Sequence, residues 1–250
     1  MKVTTDVLVP LDGSALAERA LDAAMAIAGC GSIALIHVVQ PTEWFAMPAD
    51  ALVARERKQA AAHLERLAAR LGKAGVTVAA HVVTGEPSAC IASAARRAGV
   101  IVMASHGRTR TREWAFGSVA ERILRRAKAP VLVIRGRVRS PFAIRKILVP
   151  VDESGRERAI MHVVQLLANR LGAEVVFLHV AARAAQRVSG PFLVREGDPA
   201  ETIVRTAAEE SADLIALTVA PKSEGRYVMF GRVAEAVLRR ADRPVLVVRE

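Results

Sequence analysis

The chain has 250 residues, of which 52% are apolar, 24% charged and 4% aromatic, and its net charge is +11. This composition excludes a disordered chain and asks for an aliphatic core of Ala, Val, Leu and Ile. Two cysteines, Cys30 and Cys90, exclude a disulfide framework and cannot alone hold zinc.

The charge favours anionic partners. It is uneven: residues 1–140 carry 20 Lys+Arg and 11 Asp+Glu, a balance of +9, and residues 141–250 carry 16 and 14, a balance of +2. The opening Met-Lys-Val-Thr-Thr-Asp is not a basic-then-apolar leader. The uncharged stretch Ala23–Val39 is broken by Gly29-Cys30-Gly31-Ser32, so it reads as helix, turn and strand rather than a membrane span. A cytoplasmic protein with no membrane association is expected.

In chain order, continuous β-branched runs predict strands at Val7–Pro10, Ile33–Val39, Val76–Val83, Val100–Ala104 and Val131–Ile134. Such runs suit strands buried on both faces. Helical patterns fall between them at Ser14–Ala28, Ala49–Leu71, Ser88–Ala98 and Ser118–Ala127, with Ser14 as an N-cap. Gly72, Gly99 and Gly172 stand where a glycine closes a helix. Gly136-Arg-Val-Arg-Ser-Pro141 reads as a linker.

Beyond it the pattern starts again. Val7-Leu-Val-Pro-Leu-Asp-Gly-Ser14 recurs as Ile147-Leu-Val-Pro-Val-Asp-Glu-Ser154, and Leu35-Ile-His-Val38 as Phe177-Leu-His-Val180. Gly85-Glu-Pro87 recurs as Gly197-Asp-Pro199, and Val119–Ala127 as Val233–Ala241. In the second copy Ser154 and Glu157 have capping-box spacing. The offset between copies falls from 142 to 112 between His179 and Gly197, which marks a deletion of about 30 residues there. The second copy should therefore lack the helix Ala49–Leu71, because Ala181–Ser189 is too short to replace it. The expected architecture is α/β: two repeated doubly wound parallel five-stranded sheets, over residues 1–136 and 142–250, the second lacking one helix.

Ligands of open parallel sheets bind beyond the carboxyl ends of the strands. In the first copy those ends are Pro10-Leu11-Asp12-Gly13-Ser14 and Ala104-Ser-His-Gly-Arg-Thr-Arg-Thr-Arg-Glu-Trp-Ala-Phe-Gly117-Ser118. Gly107 allows a close backbone approach, and Gly117-Ser118 opens a helix whose free amides suit phosphate. His106 lies inside the loop, Arg108, Arg110 and Arg112 surround it, and Val119 follows the helix start. The residues alone leave open a turn at Gly107, a cap at Ser118 and a solvated arginine loop.

Gly107, nine residues, then Gly117-Ser118 resembles the nucleotide motif of the universal stress protein family. The opening Leu-Val-Pro-Leu-Asp12-Gly-Ser and the closing Ala-Pro-Val-Leu-Val-Ile-Arg135 are similar to that family too, and the resemblance covers nearly the whole chain twice. It implies a Rossmann-like sheet of the adenine nucleotide alpha hydrolase-like kind, and a stress-linked regulatory protein, either ATP- or AMP-binding or nucleotide-free, rather than an efficient enzyme; the reading favoured for the first copy is ATP (or AMP) with Mg2+. It also implies roles: Asp12 at the nucleoside, Val38 and Met103 at the adenine, and Gly107, Gly117 and Ser118 at the phosphates. Ala104 stands where the family has its first glycine. In the second copy Pro221 and Arg232 replace Gly107 and Ser118, so one nucleotide per chain is expected. The resemblance further implies that the last strands, Val131–Ile134 and Val245–Val248, pair antiparallel and make each chain an internal dimer, with whole-chain dimers a further step.

No P-loop and no G-x-S-x-G elbow occurs. Gly29-Cys-Gly-Ser32 falls between helix and strand, the wrong context for a dinucleotide loop. His37 and His179 occupy equivalent strand ends and read as structural. No carboxylate is placed as a general base, which leaves at most slow ATP hydrolysis. The alternative is a basic scaffold or nucleic-acid-binding protein, built on Arg108/Arg110/Arg112, Arg125/Arg126/Lys128 and Arg135/Arg137/Arg139. One tyrosine and two tryptophans give it little to stack on a base.

Overall fold

A computed structural model describes residues 7–29, 31–41, 49–104, 117–135, 142–152, 157–181, 192–219 and 231–249. The chain forms two compact units, Met1–Val131 and Leu132–Glu250.

In the first unit, β1 (Val7–Leu11) leads through α1 (Ala15–Glu18) and α2 (Ala20–Ala28) to β2 (Ser32–Val39). Then come α3 (Ala49–Gly72), β3 (Thr77–Thr84), α4 (Pro87–Ala94), β4 (Val100–Ala104) and α5 (Ser118–Arg126). The strand order is β3-β2-β1-β4, and every described pair is parallel. All five side chains of β1 and the first four of β4 are buried, as continuous apolar runs require. α3 buries Ala60, Leu64, Leu67 and Leu71, a single stripe at helical spacing, and packs on β2 and β3.

The strand β5 (Val131–Ile134) straddles the division between the units. The second unit continues with β6 (Lys146–Val151), α6 (Glu157–Leu171), β7 (Glu174–Ala181), β8 (Leu193–Glu196), α7 (Pro199–Glu209), β9 (Leu214–Val219), α8 (Arg232–Arg240) and β10 (Val245–Arg249). Its order β10-β9-β6-β7-β8 repeats the first under the sequence duplication, again with parallel pairs. Single backbone bonds repeat as well: Ile101 N–H donates to Pro130 at 2.8 Å, and Ile215 N–H to Pro244 at 3.1 Å.

Eleven residues, 182–192, separate β7 from β8, where 37, residues 40–76, separate β2 from β3. No counterpart of the 24-residue α3 fits in eleven residues. The predicted helix over Ser14–Ala28 divides in two. Arg19 N–H bonds the Leu16 carbonyl at 3.2 Å, a tightened turn that ends α1 before α2 begins. The predicted helix over Ser88–Ala98 stops at Ala94 and finishes as a 3-10 turn, Ala95–Arg97. Gly172 closes α6 with φ +64, but Gly72 lies inside α3, and the left-handed residue after that helix is Gly75, φ +83. The cap at Ser154 and the linker at 136–141 lie outside the described residues.

The two Gly-acid-Pro turns share one constraint. Gly85 has φ +151, and a Cβ there would sit 2.9 Å from Cys90 Sγ; Gly197 has φ +132, and its Cβ would sit 2.9 Å from Thr202 Oγ1. Gly75 is equally left-handed but faces open space. Gly75→Ala should therefore cost only backbone strain, about 1 kcal/mol. Gly85→Ala should cost roughly 1–3 kcal/mol, partly restored by Cys90→Ala in the same chain. Urea unfolding of these three variants and of Cys90→Ala alone checks this, and equal losses for Gly75→Ala and Gly85→Ala would show the Cys90 contact to be irrelevant.

Candidate functional site

From β1 the chain moves to β2 and β3 on one side, then returns to β4 on the other. The switch in direction lies between β1 and β4, where a parallel sheet opens a crevice at its carboxyl ends. Pro10 has no N–H to donate. On the β2 side β1 stays in register to its end, Pro10 with Ile36 and Leu11 with His37. On the β4 side the described pairs are Val7 with Val100 and Leu8 with Ile101. The same offset sets Pro10 level with Met103 and Leu11 level with Ala104, past the end of that ladder. The second unit repeats this: Ile147 pairs with Leu214 and Leu148 with Ile215, and Pro150 stands level with Leu217.

Register thus gathers Pro10, Leu11, Met103 and Ala104 at one crevice, with Asp12 at its lip. Asp12 is half-buried, and its Oδ1 accepts from Ser14 N–H at 2.9 Å and from Ser14 Oγ at 2.6 Å. Ser14 Oγ in turn accepts from Ala17 N–H at 3.1 Å, so Ser14 is the N-cap of α1 as its position predicts. Gly13, φ +80, makes the turn between them. Val38 is half-buried on β2, one residue past the level of Leu11. Met103 is buried and Ala104 half-buried.

Across the loop, Gly117 caps α5 in an extended conformation, φ −64 and ψ 148, and offers no side chain to the first amides. Ser118 is exposed at the first helical position and Val119 is half-buried. The N-terminal amides of α5 are therefore presented without a side-chain cap. His106, Gly107 and Arg108 lie outside the described residues. In the second unit the corresponding cap differs in backbone: Gly231 has φ +86 and ψ 142, and exposed Arg232 follows it. Asp152 is exposed after β6. Pro221 lies outside the described residues.

The sequence reading passed over a cluster behind α5. Glu86 caps α4, accepting from Ser88 N–H at 3.2 Å, Ala89 N–H at 2.8 Å and the buried Ser88 hydroxyl at 2.7 Å. Arg122 of α5 donates to Glu86 Oε1 at 3.0 Å, tying the helix that starts at Gly117 to the end of β3. The repeat of Gly85-Glu-Pro87 was the available signal, but the partnership with Arg122 spans 36 residues and no local pattern carries it.

Of the residues proposed as a basic patch, Arg125 and Arg135 have partners among the described residues, and Arg239 repeats the arrangement of Arg125. Arg125 donates to Glu121 at 2.8 Å and Arg239 to Glu235 at 2.6 Å, one turn apart on their helices. Arg135, within the second unit, donates to the Arg239 carbonyl at 3.2 Å, and burial pushes its guanidinium down from the usual arginine range. His179 is buried and His37 half-buried. Among the described residues no group of three or more His, Cys, Asp or Glu gathers to hold a metal.

The sequence model of the universal stress protein family matches residues 4–135 and 181–249, one segment in each repeat. The stress response protein NhaX of Bacillus subtilis is 36% identical over 64 residues, which span 26% of this chain and 39% of NhaX. A universal stress protein of Methanocaldococcus jannaschii is 29% identical over 140 residues, 52% of this chain and 81% of that protein. The crystal structure of a universal stress protein from Archaeoglobus fulgidus superposes with a TM-score of 0.81 at 19% identity, covering 99% of this chain and 97% of that one, a likeness of fold.

The Ser88 hydroxyl, joined by the Ala89 and Ser88 amides and by Arg122, holds the Glu86 carboxyl at about 2 against its ordinary 4.5, although desolvation pushes it up. A depressed carboxyl adds stability that is present above pH 4.5 and is lost as pH falls toward 2. Glu86→Gln should therefore melt below the unsubstituted chain at neutral pH, with the gap closing across that acidic window. Melting temperatures of both chains against pH check it; a gap that persists to pH 2 would remove the ionised form from the account.

Proposed function

The chain belongs to the universal stress protein family, and from that premise we propose that it is a stress-linked regulatory protein that binds one adenine nucleotide, ATP or AMP, in its first repeat. The start of α5 carries this reading. Gly117 is extended and Ser118 exposed, so amides and a hydroxyl are free to meet phosphate. The matching start of α8 offers a left-handed Gly231 followed by the bulk of Arg232.

Pro10, Leu11, Asp12, Val38, Met103 and Ala104 would take the nucleoside at the β1–β4 crevice, and His106, Gly107, Arg108, Gly117, Ser118 and Val119 the phosphates. The methyl of Ala104 is the smallest departure from the family glycine. Mg2+ enters on the phosphates, since the described residues gather no cage for it. Asp12 already holds Ser14, which leaves it a binding group rather than a general base. Hydrolysis is at most slow, and occupancy of the site is the signal. We place the protein in the cytoplasm, where a thiol such as Cys90 stays reduced. No described helix is long and apolar enough to cross a membrane.

Calorimetric titration with ATP should give one site per chain, and Gly117→Trp should abolish it by filling the phosphate space. Two equivalent sites, or unchanged affinity in the tryptophan variant, would overturn the assignment.

We also infer that the two repeats pair within the chain, Val131–Ile134 running antiparallel to Val245–Val248. Both strands are continuous apolar runs, and an apolar sheet edge invites pairing. Leu132→Lys with Val133→Asp should lower the melting temperature and enlarge the radius of gyration in small-angle scattering. Unchanged values would exclude these strands as the interface.

A further inference from the structure

In the first unit α1, α4 and α5 start beyond the carboxyl ends of β1, β3 and β4. Two of these starts are closed by side chains. Ser14 Oγ accepts from Ala17 N–H at 3.1 Å, and the Glu86 carboxylate accepts from Ser88 N–H at 3.2 Å and Ala89 N–H at 2.8 Å. The start of α5 is open. Glu121 N–H is its first amide to reach a helical acceptor, the Gly117 carbonyl at 3.0 Å, and Gly117 offers the amides of Ser118, Val119 and Ala120 no side-chain cap. A phosphate group is therefore drawn to α5 rather than to α1 or α4, and what it meets depends on where α5 is held.

α5 buries Ala120, Ile123 and Leu124, which seats it on the unit, and a directional contact is added by Arg122, whose Nη1 donates to Glu86 Oε1 at 3.0 Å. Glu86 is itself fixed: beyond the two amides, its oxygens accept from the fully buried Ser88 hydroxyl at 2.7 and 2.9 Å. Ser118 and Arg122 are one turn apart on α5, so the pair anchors the face that carries the Ser118 hydroxyl. The second unit lacks this anchor. The residue of α8 that aligns with Arg122 is Ala236. Asp198 caps α7 in place of Glu86, and its cation is Arg240, one turn farther along α8 at 3.9 Å. The helix start differs with it, Gly231 at φ +86 against Gly117 at φ −64. We propose that Glu86 and Arg122 are positioning residues for phosphate: their ion pair holds the start of α5 where its open amides meet the phosphates of the bound nucleotide. This rests on the nucleotide assignment of the first repeat, and adds to it how the phosphates are held apart from the nucleoside.

The experiment is calorimetric titration of the full chain with ATP and, separately, with adenosine. Glu86→Gln is the deciding variant, because it removes a negative charge. Coulomb attraction alone then predicts tighter ATP binding, and a lost anchor predicts weaker binding. Glu86→Gln and Arg122→Met should each weaken ATP binding by about threefold, the scale of an exposed ion pair, and leave adenosine unchanged. The two together should cost no more than either alone, since both break one contact. Arg122→Lys, which keeps a cation for Glu86, should restore most of the affinity. Arg126→Met removes the same charge from an exposed position of the same helix and leaves the pair intact, so it should lose less than Arg122→Met. Equal or tighter ATP binding by Glu86→Gln, equal losses of ATP and adenosine, or additive losses in the double variant overturn the proposal and leave the nucleotide site standing. An unsubstituted chain that binds neither ligand overturns the nucleotide assignment and the positioning role together.

Discussion

A proline in a central strand must give up a rung of the ladder on one side, and the fold places that loss at its crevice. β1 keeps its β2 partner through Pro10 and Leu11, while its ladder with β4 is described only to Leu8. The two strands that flank the change of direction are therefore freest of one another at their carboxyl ends. Asp12, Gly13 and Ser14 follow at once, and their hydrogen bonds launch α1 from the same spot. Pro150 imposes the same arrangement on β6 and β9. The crevice is thus a property of the scaffold, present in both copies whatever residues line it.

What differs between the copies lies in the loops and helix starts. The second copy keeps its strand order, its Ile215–Pro244 bond and its left-handed Gly197, all of which serve packing. It changes the start of α8, where Gly231 takes φ +86 against −64 at Gly117. Asp198 takes the capping role of Glu86 by a shorter reach, accepting from Glu201 N–H at 2.9 Å. The core is maintained by burial, and loop segments that burial does not hold are free to drift.

Much of the fold was legible because continuous apolar runs leave a strand little choice. Val100–Ala104 and Val131–Ile134 came out as read, β1 and β2 each gained one residue at an end, and β3 shifted whole by one residue. The lost helix was legible by counting alone. The break at Arg19 was not, because a single i to i−3 bond leaves no mark on hydrophobic periodicity. At the site, Asp12 and Gly117–Ser118 were legible from their places at a strand end and a helix start. Glu86 and Arg122 were not, since an ion pair between two helices is written in space rather than in spacing. The charge of the first half also misled in part, because Arg122, Arg125 and Arg135 each have an acceptor within reach.

The short connection from β7 to β8 has a meaning for the unfolded chain as well. Bringing two strands together through a flexible segment costs entropy that grows with the logarithm of its length. Eleven residues join β7 to β8 and 37 join β2 to β3, so the outer pairing of the second unit starts with an advantage of about 1 kcal/mol. Local contacts also form faster than distant ones. When the whole chain folds from the unfolded state, the copy that has given up a helix is thereby the one whose outer strands have the shorter search.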